Sequence, residues 1–183
     1  GVCFGKQKGR ILAHKDDACA VTMHPDERFV VSGGFDGTVA MHDASQLLCV
    51  KHMTGHVAAV TSVECNIPGT MVVSSSRDGT VKFWDLLSGL CVRSMNATGK
   101  ESSQQRGGHD VTCAVLSESG RYLLVSSRFT VPRLLDVRQG KVLARYVCQG
   151  TAGERGTFYR ACFVAGDEVV AAGGPAGAVS LWR

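Results

Sequence analysis

The chain has 183 residues, 44% of them hydrophobic and 20% charged, with 20 Lys and Arg against 16 Asp and Glu for a formal net charge of +4. This composition excludes an intrinsically disordered chain, and the length suffices to bury roughly 70% of the unfolded surface in one or two domains. No apolar run reaches the roughly eighteen residues of a membrane span and no signal-peptide pattern opens the sequence, so no membrane role is expected. The first residue is Gly1 rather than Met, which suggests a piece of a longer protein.

The eight cysteines are scattered singly, with no C-x-x-C pair. Cys19, Cys113 and Cys162 lie in apolar runs and are expected to act as small hydrophobes, reduced in a cytosolic or nuclear compartment. Neither they nor the six histidines show metal-ligand spacing, so no metal or other cofactor is expected.

A first unit is predicted over about residues 11–53. It opens at His14 and contains SGGFDGTVAMHD, from Ser32 through Asp36 to Asp43. A second, over about 54–95, repeats this as SSSRDGTVKFWD, with His56, Ser74, Asp78 and Trp84 in the corresponding places. His14 and His56 are 42 residues apart, as are Ser32 and Ser74 (56 − 14 and 74 − 32), which marks an internal repeat. Short runs rich in Val, Thr and Phe, broken by Gly, Asp and Ser, predict strands near 59–65, 70–75, 80–84 and 90–95, with an Asp78-Gly79 hairpin turn between the second and third.

The polar stretch 96–106 is predicted to be a mobile insertion. A third unit, about 107–147, is degenerate: it keeps His109 but has Phe129 and Leu135 where Asp and Trp are expected, and it carries Pro132 inside a predicted strand. A fourth, about 157–183, keeps only Trp182. No segment holds a helical period over three turns, so the class is all-β.

Four-stranded units with Gly-His and Trp-Asp signatures resemble WD repeats, the blades of a β-propeller. The resemblance covers about residues 11–183 and implies a partial propeller: about four blades, an open arc of a ring that usually has seven. It further implies that His56, Ser74, Asp78 and Trp84, and in the first unit His14, Ser32 and Asp36, form a structural hydrogen-bond network inside each blade. The competing reading is a Ser-His-Asp nucleophile site. A nucleophile needs an open pocket and an oxyanion hole, whereas Ser74 falls in an apolar strand run. Phosphate-loop, H-E-x-x-H and G-x-S-x-G motifs are absent, so neither catalysis nor a small-molecule substrate is expected.

Charge is uneven. Residues 121–160 hold eight basic residues against Asp136 and Glu154, a local balance of 8 − 2 = +6. Such clustering can attract acidic partners or phosphates, although strand alternation tends to scatter side chains to opposite faces, and no interleaved aromatics suit base stacking.

Within the WD family, Val111-Thr-Cys-Ala-Val115, Gly140-Lys-Val-Leu-Ala-Arg-Tyr146, the link QGTAGER and Tyr159-Arg-Ala-Cys-Phe163 are similar to the WD-repeat subunits of cleavage stimulation factor, as are Met23-His24-Pro25. That resemblance implies a non-catalytic scaffold of messenger RNA cleavage and polyadenylation in the nucleus. Its partners would be other protein subunits, with at most weak or indirect RNA contact, and Arg128, Arg145, Arg155 and Arg160 are the candidate contacts. Leu135-Asp-Val-Arg138 is similar to a W-D-x-R motif of WD adaptors of cullin ubiquitin ligases, which gives the alternative function.

Overall fold

A computed structural model describes residues 8–97, 110–128, 130–147, 160–164, 166–174 and 178–183. Fifteen strands and no helix occur among the described residues, so none is available to cross a membrane as a helix.

The strands form four antiparallel sheets whose spatial order is the chain order. The first holds β1 (Ala18–Met23), β2 (Phe29–Gly34), β3 (Val39–Asp43) and β4 (Leu48–Met53). The second holds β5 (Val60–Cys65), β6 (Met71–Ser76), β7 (Thr80–Asp85) and β8 (Cys91–Asn96). The third is β9 (Val111–Leu116), β10 (Tyr122–Ser127), β11 (Thr130–Asp136) and β12 (Val142–Arg145), and the fourth β13 (Ala161–Val164), β14 (Val169–Gly173) and β15 (Val179–Trp182). Four small antiparallel sheets packed one against the next in chain order make this a partial, open β-propeller. The second and third strands of the first two sheets meet at Asp-Gly turns, where Gly37 and Gly79 take φ of 76° and 84°, a left-handed conformation that costs glycine little.

Alternation along the strands aims neighbouring residues at different blades. Val72 and Trp84 pack with Val31, Val39 and Met53 of the first sheet. Their neighbours Val73 and Phe83 face the third sheet and meet Leu123, Val125 and Leu135. Leu124 and Val131 then join Ala161, Val170 and Ala172 of the fourth. One core thus lies between each pair of successive blades. Within each, truncating a buried residue as large as Phe83 costs about 3–5 kcal/mol.

The innermost strands are also stitched by side chains. Thr61 Oγ1 donates to the Val111 carbonyl at 2.7 Å, Ala114 N–H donates to Ser62 Oγ at 3.0 Å, and Leu116 N–H donates to Glu64 Oε2 at 2.8 Å. On the other side Cys19 Sγ donates to the Val60 carbonyl. Burial pushes the Glu64 carboxyl up from its ordinary value, opposed by the Leu116 hydrogen bond and the Arg160 charge.

Two expectations need correction. The insertion starts later than residue 96, because Asn96 ends β8 and Ala97 is buried, its N–H donating to the Gly79 carbonyl. The remainder of 96–106 lies outside the described residues. Cys19 and Cys162 are exposed rather than buried, and only Cys113 of that trio enters a core position. As expected, Pro132 lies in a strand, and a register shift between Val125 and Ser127 in the β10–β11 pairing falls opposite it, so the ladder steps around the missing N–H.

Candidate functional site

Each of the first two blades carries a buried chain of polar groups, and its chemistry follows from which groups can only donate or only accept. In the second blade, Asp78 Oδ2 lies 2.9 Å from His56 Nδ1, so an ionised carboxylate places the imidazole proton on Nδ1. Nε2 is then an acceptor, and Ser74 Oγ donates to it at 2.7 Å. The indole N–H of Trp84, which can only donate, closes the chain on Ser74 Oγ at 2.8 Å. An acceptor-only group at one end and a donor-only group at the other leave one proton order. A side chain on Gly55, at φ +153°, would lie 3.3 Å from the Trp84 ring, so the residue before His56 is held to glycine.

Asp78 is held below the ordinary carboxylate range. Burial alone would raise it, but the Thr80 hydroxyl, His56 and the Thr80 and Val57 N–H groups outweigh that effect. Burial pushes His56 down, against the pull of Asp78. Ser74 is 0% exposed with both neighbours in place, so it has no open side from which to attack a substrate. These four groups rivet β6 and β7 to the segment that leads into β5.

The first blade brings His14, Ser32 and Asp36 together in the same way, and adds a residue that sequence reasoning left out. His14 Nδ1 lies 3.2 Å from Asp36 Oδ1, His14 Nε2 is 2.7 Å from Ser32 Oγ, and Ser32 Oγ is 2.7 Å from His42 Nε2. His42 stands where the second blade has Trp84 and supplies the same donor. Its other nitrogen, Nδ1, is buried with no hydrogen-bond partner among the described residues. Burial first, then the neighbouring His14 and His52, keep the His42 ring below its ordinary value, hence neutral. Asp36 is held at about 2: partial burial raises it, but hydrogen bonds from Lys15 N–H, Thr38 and His14 prevail.

In the third blade Val125 and Leu135 occupy the register positions of Ser74 and Trp84, opposite Arg133 and Leu123 respectively, and both are buried. The polar pair is replaced by an apolar one, a joint substitution that can be nearly neutral where losing one partner is not. His109 and Phe129 lie outside the described residues.

A second set of residues that the sequence reading missed is the acidic partner of each Trp-Asp position. Asp43 accepts from Ser45 and Gln46, Asp85 from Ser88, and Asp136 from Gln139, each tying the turn into the outermost strand. Arg28 adds two hydrogen bonds to Asp43 Oδ2, at 3.1 and 3.0 Å. The repeated Asp after Trp, His or Leu was the available signal.

The candidate contact arginines are not one patch. Arg128 and Arg160 line two adjoining clefts at the N-terminal ends of the innermost strands, which share Cys19, Thr61 and Thr112. Arg145 sits instead on β12, the outermost strand, paired in register with Arg133. Arg155 lies outside the described residues. Arg77, not singled out before, joins Arg128 in the first cleft. Among the described residues no cluster of three or more His, Cys, Asp or Glu could hold a metal.

Residues 5–43 and 47–85 each match the family model of the WD domain, G-beta repeat. Both matches end on the Asp that closes the third strand of a sheet, and the second opens just ahead of β4, so the sequence repeat is offset from the sheet by one strand. No curated protein matches the chain. Two stretches of the chain thus match WD repeats, units that build protein–protein interaction scaffolds and are typically non-catalytic.

Proposed function

We propose that this scaffold is a subunit of the nuclear machinery that cleaves and polyadenylates messenger RNA, holding other protein subunits in place without catalysing a reaction itself. The similarity of residues 140–146 and 159–163 to the WD-repeat subunits of cleavage stimulation factor carries this reading. It is supported by the buried polar side chains of the first two blades, which bond to one another inside the sheets, so that recognition falls to the exposed faces and turns. Affinity capture of the tagged chain from nuclear extract, followed by mass spectrometry, tests it. Polyadenylation factors are expected, and their absence from repeated captures would end the proposal.

The second reading is an adaptor of a cullin ubiquitin ligase. Arg138 is exposed and lines a cleft of about 570 Å³ with Arg121 and Asp136, on the face opposite the Asp-Gly turns. Against it, Leu135 stands in place of the Trp of that motif and is fully buried. A cullin adaptor in the same capture experiment would transfer the assignment.

A further inference from the structure

We propose that Cys49 and His52, on the outermost strand of the first blade, form a reactive thiol site that is alkylated by soft carbon electrophiles of the α,β-unsaturated aldehyde class. The pair is made by an irregularity in the sheet. Met41 pairs with Lys51 but His42 with Cys49, so Val50 is an extra residue on β4. Ala40 and His42, two apart on β3, point to one side, and their partners His52 and Cys49 join them there although they stand three apart on β4. Cys49 Sγ then lies 3.3 Å from His52 Nε2, with the Lys51 carbonyl farther off at 3.6 Å. His52 is exposed and Cys49 half-buried, so a small molecule can reach the sulfur.

A thiol attacks as its thiolate, and a base within hydrogen-bond reach supplies that form at the moment of reaction. Here the S–H proton passes to His52 Nε2 as the sulfur forms a bond to the β-carbon of the aldehyde. The C=C electron pair shifts towards the carbonyl oxygen, and the enolate so formed takes a proton from the imidazolium, which restores neutral His52 and needs no oxidant or reductant. A third group stands beside the pair. His42 is 6% exposed, and its Nδ1 has no hydrogen-bond partner among the described residues. Its Nε2 is committed to Ser32 on β2. The two nitrogens of an imidazole face away from one another, so Nδ1 is turned to the side of β4 and offers its lone pair to the imidazolium. Burial first, and then the charges of His14 and His52, keep that ring neutral and able to accept. The second blade holds the matched case without the imidazole. Cys91 and Ser94 stand 42 residues on (91 − 49 and 94 − 52), across the same irregularity, and Cys91 is the more exposed of the two thiols. Its Sγ donates to the Arg93 carbonyl at 3.3 Å, while Ser94 Oγ accepts from Lys82 Nζ.

The test is a brief exposure of the 183-residue chain to sub-stoichiometric crotonaldehyde, followed by borohydride, digestion and mass spectrometry of each cysteine. Cys49 is expected to be alkylated at least about tenfold faster than Cys91, although it is the less exposed. His52→Ala should slow Cys49 by a similar factor and leave Cys91 as it was, whereas Ser94→His should speed Cys91. If His52→Ala fails to fold, the two cysteines of the unaltered chain and the Ser94→His variant, at an exposed position, carry the test by themselves. Reaction at Cys91 as fast as at Cys49, an unchanged rate at Cys49 in a folded His52→Ala chain, or no gain at Cys91 in Ser94→His each overturns the proposal.

Discussion

At the scale of single residues, the buried networks make two predictions. Asp78→Ala removes the charged acceptor that orders the His56–Ser74–Trp84 chain and leaves the buried imidazole N–H only the Thr80 hydroxyl, 3.2 Å away, which should cost about 1–3 kcal/mol and lower the melting temperature. A melting curve identical to the parent's would show that the network is not what holds the blade. The second concerns pH. Asp36 and Asp78 have folded values below the ordinary 3.8, and His56 a folded value below the ordinary 6.5. For all three the unfolded chain binds protons more readily, so their contribution is complete above the ordinary values and is lost on acidification. Urea midpoints should begin to fall below pH 6.5 through His56 and fall further below 3.8, where the Asp36 share persists until about pH 2. Midpoints that rise on acidification would refute the proton order described for these blades. The repeat displayed seven of these polar residues at matched places, and it was the resemblance to WD repeats that implied they form networks. It did not pick out His42, since a histidine in place of a tryptophan reads as a lapse in the pattern until the Ser32 hydroxyl is seen between two rings.

At the scale of strands, the bonds between neighbouring inner strands matter more than ladder pairing alone suggests. Glu64→Ala should leave the Leu116 N–H without its acceptor and cost about 1–3 kcal/mol in urea unfolding, whereas Glu64→Gln keeps an acceptor and should stay closer to the parent. Equal losses in the two variants would place the effect in packing rather than in the hydrogen bond. The strands of the second blade were legible to within one residue at either end, because apolar runs and an Asp-Gly turn fix both period and register. What could not be read was which side of an inner strand faces solvent. Cys19 and Cys162 sit in runs that look like core from composition, yet both come out exposed. Arg77 was hidden for a related reason: a lone arginine before a turn has no local signal, and the cleft it lines with Arg128 is built from more than one blade.

At the scale of the molecule, each core cluster joins only two successive sheets, so stability should behave as a sum of blades and nearest-neighbour interfaces. Val72→Ala, at a fully buried site between the first two sheets, should speed hydrogen exchange in β2, β3, β6 and β7 while leaving β13 and β14 as they were. Uniform acceleration across all four sheets would mean that the arc unfolds as one unit.

Among the described residues, each sheet is built from strands that follow one another along the chain. Contacts of low sequence separation zip early, and a chain emerging from the ribosome can finish one blade before the next has been translated. Each completed sheet then offers its apolar side as the template on which its successor condenses, so assembly runs in the direction of synthesis.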